Sequence, residues 1–340
     1  MNLLKPLRIT TKKNEVTVLG NGSWATALVK VFTDAKTHVH WYIRDPKEAN
    51  TIRRFRKNLR YLSTAKLKTR RITIHSDINE IVQASEWIVL AIPSAFLGAT
   101  LDQIQIPLKN KFIVSGVKGM LPESKCILGE HFHKHYDLPW DQFIAIAGPS
   151  HAEEVALERL SYLTLACTEK KNAEHLKNLM QTSYIHTKIS KDVVGVEYAA
   201  TLKNIYALAV GIAHGLNFGD NFQSVLISNS IREMNRFLKK VSHSKRNINQ
   251  TAYLGDLLVT AYSVFSRNRR FGNMIGRGYT VKGAKLEMSM VAEGYYATQS
   301  VFEQASKMEI NMPILTTVYR ILYQQKSPKK SFKKLTGQLN

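Results

Sequence analysis

The sequence predicts an α/β protein, with a doubly wound parallel sheet in its N-terminal half and an all-helical domain in its C-terminal half. Three observations carry this. Short apolar runs alternate with helical patterns to about residue 190, the pattern of strands joined by crossover helices. From about Asp192 onward long helical patterns dominate and strand-like runs vanish. At 340 residues the chain has room for two domains of ordinary size and can bury roughly three quarters of its unfolded surface. With 44% hydrophobic and 22% charged residues, the composition excludes disorder, collagen-like repeats and low complexity as its main theme.

In chain order, Met1–Asn14 is a basic extension with no apolar core of signal-peptide length. Val16–Leu19 reads as a buried strand ending at Gly20, after which Ala25, Leu28, Val31 and Phe32 share one helix face. His38–Ile43, Trp87–Ile92, Phe112–Val114 and Phe143–Ala147 read as further strands, giving a sheet domain over 15–190. A helical domain is expected over 191–325. Residues 326–340 carry five lysines in a weakly apolar context and are expected to form a solvated basic tail. The longest apolar stretch, Tyr198–Ala213, is broken by Thr201, Lys203 and Asn204, so no membrane span is expected.

The charge is unusual. Lys and Arg number 48 against 26 Asp and Glu, a net +22 that favours anionic partners. The patches Arg53–Arg60, Lys239-Lys240 and Lys329-Lys330 could serve a nucleic acid or an acidic surface, but no recognised nucleic-acid module accompanies them. Two cysteines, Cys126 and Cys167, give no disulfide framework and fit a reducing, cytoplasmic setting. His131, His133 and His135 alternate without a carboxylate or cysteine at ligand spacing, so a loop or helix end is expected and no metal.

The clearest local motif is Gly20-Asn21-Gly22-Ser23-Trp24-Ala25, which follows a strand and opens a helix. Gly20 makes the tight turn, Gly22 lets backbone approach a pyrophosphate, and Ala25 takes the third, small position where helix and strand pack. The helix N-terminus then offers free N–H groups to phosphate. This is the signature of a Rossmann-type dinucleotide site. Just past the second strand, Arg44 suits the 2′-phosphate of NADPH, whereas the adjacent Asp45 keeps NADH possible. An ordinary surface arginine is the plainer alternative.

Lys203 stands in a helix, Glu197–Val210, whose other faces look buried. Its ammonium must be paired, line a cleft, or snorkel to solvent, and the sequence leaves these readings level. Desolvation would lower its pKa and suit it to proton transfer. Downstream, Asp256 and Thr260 share a helix face at i and i+4. Ser266-Arg267-Asn268-Arg269 is a dense donor array that fits a phosphate dianion, or else a solvated basic face.

Together these segments resemble the bacterial-type NAD(P)-dependent glycerol-3-phosphate dehydrogenases, from about Val16 to Gly294. The glycine-rich turn is matched, as are Val117-Lys118-Gly119 and Gly148-Pro149-Ser150-His151-Ala152-Glu153-Glu154. Val194-Gly195-Val196-Glu197 with Leu202-Lys203-Asn204 follows, then Gly255-Asp256-Leu257, Ser266-Arg267-Asn268-Arg269 and Ala292-Glu293-Gly294. Seven motifs in the right order are highly specific.

The resemblance implies reversible reduction of dihydroxyacetone phosphate by NADPH or NADH to sn-glycerol 3-phosphate, a precursor for phospholipid synthesis, and a homodimer. It implies that Lys203 exchanges the proton at the substrate C2 oxygen. Substrate contacts are implied at Lys118, Gly148, Ser150, Asn204, Asp256, Thr260, Ser266, Arg267 and Asn268. Cofactor contacts are implied at Gly20, Gly22, Ser23, Trp24, Arg44, Tyr61, Lys118, Ala152, Arg267, Val291 and Glu293. Three departures stand out: Ala25 for the third glycine, Leu160-Ser161 for a proline-threonine pair, and Tyr253 for a glycine. The Tyr253 ring is expected to narrow the pocket or shift its loop. The competing readings are a hydroxyacid or sugar-acid dehydrogenase of the same architecture and a basic nucleic-acid or acidic-surface binder.

Overall fold

A computed structural model describes residues 14–288, 290 and 292–340. Apart from Asn14, the expected N-terminal extension lies outside them, as does Val291. Eight strands make one sheet: β1 (Glu15–Leu19), β2 (His38–Tyr42), β3 (Ile72–His75), β4 (Trp87–Leu90), β5 (Phe112–Ser115), β6 (Phe143–Ala147), β7 (Ser161–Ala166) and β8 (Ile185–Ser190). Between them run α1 (Ser23–Asp34), α2 (Pro46–Phe55), α3 (Ile78–Ala84), α4 (Ser94–Leu101), α5 (Leu128–Tyr136), α6 (Ala152–Ala156) and α7 (Lys170–Leu179). The remainder is helical: α8 (Val193–Gly215), α9 (Asp220–Val241), α10 (Asp256–Tyr262), α11 (Arg267–Gly276), α12 (Val281–Glu287), α13 (Glu293–Lys307), α14 (Pro313–Tyr323) and α15 (Pro328–Thr336).

Strand order is β3-β2-β1-β4-β5-β6-β7-β8. All neighbours are parallel except β6 and β7, which run antiparallel, so the wholly parallel sheet expected from the sequence has one reversed pair. β1 lies between β2 and β4, with Val18 opposite Trp41 on one side and Val89 on the other. The chain switches direction of travel here, and a crevice opens beyond the strands' carboxyl ends. Val16, Val18, Trp41 and Val89 pack with the apolar face of α1, whereas Leu19, Ile88 and Leu90 belong to a second cluster. That second cluster runs on through Phe132 into the helical half, to Tyr206 and Phe237.

The 23-residue helix α8 forms the axis of the helical half and is buried along nearly its whole length. It meets α11 backbone to backbone. A methyl group on Gly211 would lie 2.1 Å from the Arg269 carbonyl oxygen, and one on Gly272 would lie 2.2 Å from that of Leu208. Small residues on both helices therefore draw the start of α11 close to α8. Two buried carboxylates secure other helix starts. Glu197 of α8 accepts from Gly129 N–H of α5 at 2.9 Å, and Glu233 of α9 accepts from Ile314 and Leu315 N–H of α14. Burial pushes Glu197 up to about 8 and Glu233 to about 7.

The C-terminal residues depart from the solvated tail expected of them. Residues 328–336 form α15, in which Phe332 is fully buried beside Phe218 and Phe222, and Leu335 is 1% exposed. The lysines face outward. Two apolar residues three apart suffice to dock one helix face, a signal that the surrounding lysines obscure. Phe332→Ala is expected to cost about 3–5 kcal/mol and to lower the melting midpoint by roughly 5–10 °C. An unchanged calorimetric midpoint would show the helix contributes nothing.

Candidate active site

The turn from β1 to α1 is shaped by its backbone. Gly20 has φ +117°, and a Cβ there would lie 2.6 Å from the Ala91 carbonyl oxygen at the end of β4. Only glycine fits. At Gly22 nothing lies within 4 Å of where a Cβ would stand, so the backbone is open to a ligand. No side chain caps α1, which leaves its first N–H groups for that ligand. Trp41 Nε1 donates to the Gly20 carbonyl at 2.6 Å, and Asn58 donates to the Asn21 carbonyl at 2.7 Å, holding the turn. An uncapped helix end behind an open, braced glycine turn fits a dinucleotide pyrophosphate. Gly20→Ala is expected to weaken NADH binding at least about 30-fold, the equivalent of some 2 kcal/mol of backbone strain and clash. Fluorescence titration checks this, and wild-type affinity in the variant refutes it.

Past β2, Arg44 is exposed at the cleft mouth, and Asp45 caps α2 by accepting from Lys47 N–H at 2.8 Å. Glu48 accepts from both Asn21 and Arg60, whose guanidinium lies 5.0 Å from the Tyr61 ring centroid.

The opposite wall comes from the helices. Lys203 is 4% exposed, so it does not snorkel; its ammonium donates to Asp256, itself 1% exposed. Burial pulls the Lys203 pKa down to about 7, with Asp256 opposing that pull and Lys118 adding to it. The other Asp256 oxygen accepts from Gly148 N–H at 3.1 Å. Thr260 donates back to the Asp256 carbonyl at 2.6 Å, and Ser150 to the Gly148 carbonyl at 2.9 Å. Asn204 donates to the Lys118 carbonyl at 2.7 Å, and the Lys118 ammonium stands 5.2 Å from the Trp24 ring centroid.

Contacts between the two halves complete the site. Ser266 caps α11, and the Arg267 guanidinium that follows donates to the Ser23 hydroxyl of the glycine turn. Asn268 accepts from Gly294 N–H at 2.9 Å. Glu293 accepts from Ser94 N–H at 2.9 Å and from the Ser94 hydroxyl. Ser266, Arg267 and Asn268 of the donor array thus face a cleft rather than solvent, whereas Arg269 does not line it.

One cleft of about 860 Å³ is lined by Gly20, Gly22, Ser23, Trp24, Arg44, Tyr61, Lys118, Ser150, Ala152, Lys203, Asn204, Thr260, Ser266, Arg267, Asn268 and Glu293. Gly148 and Asp256 stand one layer behind, bonded to each other. Sequence reasoning missed Glu48, Phe96, His151, Lys285, Tyr295 and Tyr296, which also line the cleft. Sequence cues existed for His151, inside the matched segment Gly148–Glu154, and for Tyr295, next to the matched Gly294. The Tyr253 ring neither narrows the pocket nor lines it. It is buried in the π-helical turn 251–255, and its hydroxyl donates to Asp192 at 2.6 Å, on the carboxylate that also binds Arg246. His131, His133 and His135 fall within α5, and among the described residues no group of metal-ligating side chains forms.

Comparison with known proteins agrees with this geometry. Models of the NAD-dependent glycerol-3-phosphate dehydrogenase N-terminus and C-terminus match residues 15–173 and 192–333. The glycerol-3-phosphate dehydrogenase (NAD(P)+) of Lysinibacillus sphaericus is 34% identical over 319 residues, 93% of this chain and 94% of that protein. That of Oceanobacillus iheyensis is 31% identical over 316 residues, 93% and 91% of the two chains. The crystal structure of glycerol-3-phosphate dehydrogenase from Coxiella burnetii superposes with a TM-score of 0.88 at 27% identity, covering 95% of this chain and 98% of that one. An open glycine turn, a buried lysine–aspartate pair and matches along both halves lead to one assignment: the chain belongs to the NAD-dependent glycerol-3-phosphate dehydrogenase family.

Proposed function

We propose that the chain catalyses the NAD(P)H-dependent, reversible reduction of dihydroxyacetone phosphate to sn-glycerol 3-phosphate, with Lys203 as the proton-transfer group. The observation that carries this is the buried Lys203–Asp256 pair facing the glycine turn across one cleft. When bound, the nicotinamide supplies the hydride. Negative charge then develops on the substrate C2 oxygen, where the Lys203 ammonium stabilises it and delivers a proton. A pKa of about 7 lets the same amine donate in one direction and accept in the other. Asp256 holds that amine in place, itself fixed by Gly148 N–H. Lys118, Ser150, Asn204 and Thr260 surround the ketone, and Ser266, Arg267 and Asn268 receive the phosphate, whose binding energy positions the reacting carbon. Ser23, Trp24, Arg44, Tyr61, Ala152 and Glu293 hold the cofactor. The test is loss of reduced-nicotinamide absorbance on adding dihydroxyacetone phosphate, with NADH and NADPH in parallel. Rapid loss is expected, and the ratio of the two rates reads the contribution of Arg44. No oxidation of either cofactor refutes the proposal.

The protein works in the cytoplasm, a reading supported by its two free, buried thiols. The family resemblance supports a homodimer, for which light scattering should return twice 38.6 kDa. A division into a cofactor domain over 15–190 and a catalytic domain from 191 fits the change from sheet to helix between β8 and α8.

A further inference from the structure

His151 follows Ser150, lines the same cleft as Lys203, and has no part in the mechanism above. Its surroundings determine what it can offer. Nε2 lies 3.4 Å from the Val259 carbonyl of α10, and a carbonyl can only accept, so Nε2 carries the hydrogen. Nδ1 has no hydrogen-bond partner among the described residues. It therefore presents a lone pair. The Phe265 ring, 6.1 Å away between centroids, packs beside the imidazole. Burial, with the charges of Lys203 and Lys118, pulls the pKa down to about 4, so the ring is neutral at physiological pH.

Dihydroxyacetone phosphate has three polar centres. The phosphate dianion and the ketone oxygen accept hydrogen bonds, and the cleft meets them with the cations of Arg267, Lys118 and Lys203. The free hydroxyl is the only donor on the substrate, and it needs an acceptor. Asp256, the carboxylate nearest Lys203, is already committed to Lys203 and Gly148. We propose that His151 is a specificity-determining residue whose neutral Nδ1 accepts the hydrogen bond of the substrate's free hydroxyl. An acceptor left unpaired penalises analogues lacking that hydroxyl.

This rests on the activity proposed above, and the experiment separates the two. The probe is hydroxyacetone phosphate, which differs from dihydroxyacetone phosphate by loss of that hydroxyl alone. Wild-type enzyme is expected to favour dihydroxyacetone phosphate in kcat/KM by about 10- to 100-fold. His151→Leu should shrink that preference by about tenfold or more, chiefly through loss of turnover of dihydroxyacetone phosphate. His151→Asn, whose carbonyl oxygen can replace the Nδ1 acceptor, should keep the preference within about threefold. NADH binding followed by fluorescence shows that each variant is folded. Wild-type enzyme that reduces both substrates alike overturns the assignment even if a variant fails to fold. So does a His151→Leu variant that keeps the preference, or one that loses both substrates equally, which would place His151 on the phosphate or in the scaffold. Wild-type enzyme that reduces neither substrate refutes the activity itself.

Discussion

Replacing Lys203 by Met is expected to lower kcat for dihydroxyacetone phosphate reduction by about 10²–10⁴-fold, the usual contribution of a positioned acid. NADH affinity should stay within a few-fold, because Lys203 stands on α8 and the glycine turn is braced by Trp41 and Asn58 instead. Methionine keeps the length and volume of the side chain, so no cavity opens. It does leave Asp256 buried without its cation, so a lower melting midpoint accompanies the loss of rate. The double variant Lys203→Met/Asp256→Asn removes that stranded charge and should regain stability without regaining activity. Stopped-flow turnover and thermal melts separate the two effects. Near-normal turnover in a folded Lys203→Met protein would exclude the lysine as the proton source.

What the sequence disclosed about this site was chemistry confined to short stretches. The glycine turn could be read because strand, turn and helix are consecutive and each position has a steric reason, as Gly20 has against Ala91. Lys203 stood out because a lone ammonium in an apolar helix must find a partner, a cleft or solvent. That partner, Asp256, lies 53 residues away, and only the fold brings the two together. Separation along the chain likewise hid Glu48 against Asn21, 27 residues apart, and Glu293 against Ser94, 199 residues apart, and it hid Lys285 in the cleft wall.

Among the strands, β4, β6 and β1 from Val16 onward were visible as buried, mainly apolar runs. The outer strands β3 and β8 mix polar and apolar residues because they are half exposed at the sheet edges, and neither was read. β7 was missed as well, although it is mostly buried, and its reversed direction was invisible because direction is a property of pairing. Tyr253 shows the limit in the other sense. A glycine-to-tyrosine difference three residues before Asp256 looked like an obstruction, yet the ring turns away from the cleft to Asp192, which caps the start of α8.

Asp256→Asn is expected to slow the two directions of the reaction unequally. The aspartate raises the Lys203 pKa against the pull of burial, so its loss moves that pKa further below about 7. On the proposed mechanism reduction needs the ammonium and oxidation needs the free amine. At pH 7.5 reduction should therefore fall by about tenfold or more, one pKa unit of lost protonation or greater, while oxidation of sn-glycerol 3-phosphate falls less. The alkaline limb of the reduction profile should move to lower pH. Stability carries the same signature. The Lys203 pKa in the folded protein lies below the ordinary lysine value of 10.5, so between the two the unfolded chain binds more protons and stability rises with pH. In the variant that window opens lower, so its deficit against wild type should be largest near pH 5 and shrink as pH rises towards 7. Breaking a buried pair costs about 3–5 kcal/mol when the remaining charge is trapped. Here the lysine can release its proton, which caps the deficit at the cost of the acid form that reduction requires. Equal losses in both directions with an unmoved pH profile would show instead that Asp256 serves substrate positioning and leaves the lysine's proton alone.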